Sequence, residues 1–297
     1  LLLIEKYNRL QSSLLMILSL LFIIITLINP DSLTYYFQYY LLLTTVTIIG
    51  IPHGFFDYSI AERLFRNSKN WIYYFTIGYI LLSLIYLAIW FLFPLIALLF
   101  FLIISIFHFG IEEQNHLEYQ NMKIFQIFMI GSMPVFLPIL FHTQDVFNIF
   151  QQIIDLDIDI VNIGAYIYFF YFLLLFIALY YNGIKRSLIY TILIINFIIL
   201  PPLISFSLFF CFHHSIRHYI HSIYYESLIP KKYDTRKYLN IIIISSIFFT
   251  SLVLLGLQIY GKYTFDIIIV KYVFILLACL TLPHLILNIY YDTNKNK

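Results

Sequence analysis

Nine histidines occur in the 297 residues, and most of them stand in or at the ends of long apolar runs. They are His53 in Ile-Pro-His-Gly, His108 in Phe-His-Phe-Gly, the group His213, His214, His218 and His221, and His284 in Leu-Pro-His; His116 and His142 fall in polar stretches. Imidazole is a ligand for zinc, copper, iron and nickel. His214 and His218 are four residues apart, so on a helix both rings leave one face and can share a cation, as the two histidines of an HExxH helix share zinc. His221, three residues beyond His218, would stand close behind the pair, whereas His213 points about 100° away from His214. Asp57 follows His53 by four residues and Glu112 follows His108 by four, which suits acids that accept the second ring N–H of a metal-bound histidine. One of the two is expected instead to be a solvated residue at a helix end. A buried, all-nitrogen set without thiolate fits iron that activates dioxygen or zinc that activates water. The alternative is a group of histidines hydrogen-bonded between helices.

The elements that would carry these side chains are set by composition. Hydrophobic residues make up 62% of the chain and charged residues only 11%, with a mean hydropathy of +0.90. Soluble domains carry about 25% charged residues, so this chain could not cover a water-exposed surface. Apolar runs recur at 14–28, 41–51, 77–106, 163–180, 188–200, 241–257 and 267–287, and they lack the alternation of barrel strands. The expected class is all-α, a polytopic helical bundle in a membrane, read as one domain over 1–297. The first run lacks a small-residue cleavage site and is followed by further spans, so it does not read as a removable signal peptide. Leu1 in place of Met suggests a trimmed start or a fragment. Cys211 and Cys279 both sit in apolar runs and imply no disulfide framework. A net charge of +2 gives no argument for nucleic acid.

Polar breaks near 29–34, 57–70, 93–94, 112–123, 142–159, 182–186, 226–237 and 261–266, with a further stop at Pro201-Pro202, divide the chain into about ten helical segments, eight or nine being the alternatives. Lys and Arg favour cytoplasmic loops. Ten segments place Lys6, Arg9, Arg63, Arg66, Lys69, Lys123, Lys185, Arg186, Lys231, Lys232, Arg236 and Lys237 on that side, with both termini cytoplasmic. The same topology brings His53, His108, His214, His218 and His284 to a similar depth on one side of the membrane. Histidines with unrelated structural roles have no reason to share a level.

Pro-His-Gly-x-x-Asp at 52–57, Phe-His-Phe-Gly at 107–110, His-His-x-x-x-His at 213–218 and Leu-Pro-His at 282–284 occur in an order that resembles the Brp/Blh family of β-carotene 15,15′-dioxygenases. The likeness runs from about residue 45 to 290. Each motif alone is weak; four in order on a polytopic background are more specific. The resemblance implies ferrous iron on His53, His108, His214 and His218, with His284 at a further family position. It also implies β-carotene and dioxygen as substrates, two retinals as product, and membrane lipid as surroundings. The location implied is the cell membrane of a bacterium or archaeon, with a microbial rhodopsin as a possible recipient of the retinal. Phe55 and Phe56 depart from the small residues usual after Pro-His-Gly. Iron near the cytoplasmic level calls for a tilted or in-plane substrate tunnel, which the abundant aromatic residues could line. The rival readings are a histidine-rich membrane di-iron desaturase or hydroxylase, a haem b protein, and a metal or proton transporter. The desaturase would need about eight grouped histidines, and the transporter would want carboxylates in mid-membrane.

Overall fold

The computed structural model describes residues 2–114, 123–157, 164–180, 184–225 and 265–294, together with scattered positions between 227 and 255. Among these residues the structure is all helix, and six helices are long and apolar enough to cross a membrane: Glu5–Ile28, Tyr35–Phe65, Trp71–Leu92, Pro94–Glu113, Lys123–Phe141 and Ile268–Asn294. Shorter apolar helices cover Ala165–Tyr180 and Leu188–Ile199. The protein is a helical membrane bundle, and six of the expected segments meet the length and hydropathy of a full crossing. Part of the run 241–257 and most of the basic loop Lys231, Lys232, Arg236 and Lys237 lie outside the described residues; the run's described positions are helical.

In chain order, α1 is Leu2–Ile28, α2 Tyr35–Thr45, α3 Phe56–Phe65, α4 Trp71–Leu92, α5 Pro94–Gln114 and α6 Lys123–Phe141. They are followed by α7 Thr143–Ile154, α8 Ala165–Tyr180, α9 Ile184–Ile199, α10 Pro202–Ser207, α11 Ile216–Ile220 and α12 Phe265–Asn294. The breaks expected at 93–94 and at Pro201-Pro202 separate α4 from α5 and α9 from α10. Two expected breaks begin too early. The chain stays helical from Tyr35 to Phe65, past Asp57, and α5 runs through Glu112 and Glu113. Both segments can bury these acids because each carboxylate has a partner inside the bundle. The polar stretch 142–159 holds an amphipathic helix, α7, which ends at Asp155 in the left-handed region (φ 55°). Asp155 is paired with Lys271 of α12.

Burial separates the outer helices from the central one. Only 11% of the most apolar stretch of α4 is buried, against 67% for α12. The outer face of α4 shows Ile77, Leu81, Leu84 and Ile85, as a lipid-facing helix does. Helices α5 and α6 touch backbone to backbone. A Cβ on Gly110 would lie 2.0 Å from the carbonyl oxygen of Ile127, and one on Gly131 would lie 1.9 Å from that of Ile106. Small residues at such crossings let the helices approach where lipid supplies no hydrophobic drive. This contact fixes the end of α5 that bears His108.

Candidate metal centre

His53 sits where the helix changes pitch. Val46–Gly50 is a π turn and Ile51–Phe55 a 3-10 turn, with Pro52 at its start. Pitch changes free carbonyls from the helical ladder, and in lipid each needs another donor. Ser246 Oγ donates to Thr47 O (2.7 Å), Tyr219 Oη to Ile49 O (3.2 Å), and His53 Nδ1 to Gly50 O. A carbonyl can only accept, so Nδ1 carries the proton and Nε2 of His53 keeps its lone pair. The second irregular stretch is the π segment Leu208–Ser215, which carries His213 and His214 into α11 and His218. Its carbonyls are likewise claimed, Phe210 O by Ser215 Oγ (2.8 Å) and Phe212 O by Gln11 Nε2 (2.7 Å).

Five imidazoles meet among the described residues. The His53 ring lies 5.4, 5.3 and 5.3 Å from those of His214, His218 and His284. The His108 ring lies 4.9 Å from His214 and 5.0 Å from His284. Nε2 of His108 and Nε2 of His214 stand 3.2 Å apart. His53, His108 and His284 each offer a ring nitrogen within 4.8 Å of the others. All five residues are buried. His218 Nε2 and His214 Nδ1 are buried without a hydrogen-bond partner. Buried polar atoms are nearly always satisfied. An orphaned ring nitrogen within a group of converging imidazoles is what a cation-binding set requires, and the donors fit iron or another imidazole-binding metal.

The acids sit behind the rings, paired differently from the expectation. Asp57 Oδ1 accepts from His284 Nδ1 (2.7 Å), and its Oδ2 accepts from Tyr79 Oη (2.9 Å). Glu112 Oε1 accepts from His218 Nδ1 (2.9 Å). Each acid therefore serves a histidine of another helix, not the one four residues before it. Neither is a solvated helix-end residue: Asp57 is 2% exposed and the Glu112 side chain 13%. Both pairings leave the histidine Nε2 as a lone pair turned away from the acid.

His213 faces away from His214, as its position on the helix implied. It joins a second buried group in which Glu113 binds His213 Nε2 (3.0 Å), Arg217 Nη1 (2.6 Å) and Tyr190 Oη (2.7 Å). His221 begins a π turn, His221–Tyr225, and is half-buried. Of the loop histidines, His142 precedes α7, and His116 lies outside the described residues. Sequence reasoning missed Tyr79, Ser215 and the Glu113–Arg217 pair. A signal for the last was present, since opposite charges in two apolar segments of one bundle must find each other.

A cavity of about 330 Å³ opens beside the five rings. His53, His108 and His284 form its inner wall, with Asp57 and Tyr79 behind, and Phe55, Tyr58, Phe75 and Phe210 supply aromatic surface. Phe56, the second departure from the family pattern, is instead fully buried against His218 and Tyr219.

Residues 44–291 match the family model described as β-carotene 15,15′-dioxygenase. The chain belongs to that family. The matched span contains all five clustered histidines and both acids. A protein named β-carotene 15,15′-dioxygenase from Uncultured marine bacterium 66A03 is 30% identical over 265 residues, covering 82% of this chain and 90% of the relative. No solved structure matches the chain. Family membership sets the chain among the dioxygenases, and its buried histidines form a group able to hold a metal.

Proposed function

We propose that this chain cleaves the central double bond of β-carotene with dioxygen, giving two retinals, and that a single ferrous iron is held by His53, His108, His214 and His218, with His284, whose ring nitrogen groups with those of His53 and His108, as an additional ligand. The observation that carries the reading is the meeting of five buried histidine rings, three of which line an apolar cavity, inside a chain of this family. Ferrous iron, when bound, would supply the redox chemistry that activates dioxygen. Gly50 O, Asp57 and Glu112 hold the Nδ1 protons of His53, His284 and His218, keeping the opposite nitrogens unprotonated for the metal. Phe210 stacks on His214 (5.9 Å, 15°), and Phe109 meets it edge-on (5.0 Å). These rings exclude water from the polyene side. The substrate is a hydrocarbon dissolved in the bilayer, so an apolar cavity reached from the lipid suits it. Both termini on the cytoplasmic side of a bacterial or archaeal cell membrane, and delivery of product to a microbial rhodopsin, belong to the same reading.

Expression in β-carotene-producing cells tests it. Loss of orange colour with extractable retinal, and about one iron per chain without a Soret band, is the expected result. Unchanged β-carotene beside folded, iron-loaded protein would refute the activity, and two irons per chain would favour the desaturase reading.

A further inference from the structure

A second cavity, of about 80 Å³, lies across an aromatic wall from the first. Phe109, Phe206 and Phe274 line it, together with Val135, Pro138 and Pro202. The wall is the face-to-face stack of Phe206 on Phe210 (5.4 Å, 10°), with Phe109 beside it at 6.3 Å from Phe210. Phe210 belongs to the lining of the first cavity, and Phe206 and Phe109 to that of the second. Phe109 and Phe210 also touch His214. The two cavities therefore face each other across a partition one ring pair thick that stands against His214, and the histidines line the first of them.

Symmetry decides what this arrangement can do. A linear polyene cut at its middle must extend equally in both directions from the metal, and a cavity that ends at the metal houses one arm only. We propose that the two cavities are the two arms of one channel for a symmetric polyene, with Phe206 as the door between them. The inference rests on the carotenoid reading above. The first arm enters from the lipid side, where Phe55, Tyr58 and Ile80 are exposed at the mouth. Gly54 borders this arm, and a Cβ built there meets nothing within 4 Å, so a larger side chain at this position would project into open space beside the arm. The second arm is about a quarter of the volume of the first and must widen. Phe206 is half-buried, and the lining prolines Pro138 and Pro202 lie where the helical ladder is already interrupted.

The test uses metal-free protein in detergent, titrated with β-carotene and with retinyl acetate, a one-armed polyene, each followed by induced circular dichroism. Gly54→Leu fills the first arm and is expected to weaken both ligands at least about tenfold. Val135→Phe fills the second arm and is expected to weaken β-carotene at least about tenfold while leaving retinyl acetate within about twofold. Retained retinyl acetate binding shows that the variant is folded. Phe206→Ala removes bulk from the door, and in the iron-loaded protein it is expected to add off-centre apocarotenals to the retinal. Val135→Phe binding β-carotene like the wild type, or Phe206→Ala leaving both affinity and product pattern unchanged, overturns the channel. If the ligand pattern holds but the iron-loaded wild type cleaves no carotenoid, the channel stands and the assigned reaction falls.

Discussion

Asp57→Asn removes one charge from behind the cluster and almost no volume. Asp57 is 2% exposed, so its carboxylate is not screened by water. Its two oxygens hold His284 Nδ1 at 2.7 Å and Tyr79 Oη at 2.9 Å. In the Asn variant the amide oxygen can still accept from His284. The amide NH2 then faces Tyr79, whose hydroxyl can turn to donate to Leu280 O, already 3.4 Å away. The fold and the His284 tautomer are kept, and the charge assistance is lost. A hydrogen bond to a charged group contributes about 1.5–3 kcal/mol and a neutral one about 0.5–1.5 kcal/mol. The difference, about 1.5 kcal/mol, corresponds to about tenfold in metal affinity. Asp57→Ala also frees the ring to turn, and about a hundredfold is expected, the upper end for partners that stand behind metal ligands. Tyr79→Phe, which keeps the ring and removes only the hydroxyl's bond to the acid and its longer contact with Leu280 O, should cost less than either. Chelator competition on the purified protein gives the affinities, and a melting curve in detergent separates them from stability. If both Asp57 variants hold iron like the wild type, or lose only stability, Asp57 has no part in positioning His284 for a metal.

Other outcomes follow from the same geometry. His53→Ala, His108→Ala, His214→Ala and His218→Ala should each abolish retinal formation and iron retention, while His116→Ala and His142→Ala keep both; equal damage from the loop variants would sink the site assignment. Glu113→Gln strips the buried Arg217 of its counter-charge at 2.6 Å and should destabilise the protein by about 3–5 kcal/mol, read as a lower unfolding midpoint in detergent. Gly110→Leu, whose Cβ would meet the Ile127 carbonyl oxygen at 2.0 Å, should yield no monodisperse protein, whereas Gly54→Ala, with open space around it, should fold normally by the same size-exclusion measure.

Composition alone placed the chain in a bilayer, because no fold in water can hide 62% hydrophobic residues behind 11% charged ones. The clustered histidines were also legible before folding. Imidazoles are costly among lipid tails, so their presence in apolar runs marks a shared interior site. The sequence motifs and their order were enough to suggest the family. What the linear chain could not reveal was partnership. Asp57 and Glu112 stand four residues after His53 and His108, yet they serve His284 and His218, which come from 227 and 106 residues further along. The π and 3-10 turns that aim His53 and His214 were equally hidden. They exist because side chains from distant helices, such as Ser246, Tyr219 and Gln11, satisfy the carbonyls that a regular helix would have kept. Residue type and spacing record which chemistry is present; which nitrogen faces which oxygen is settled only when the helices pack, since every buried polar group then has to find its partner among the neighbours that packing provides.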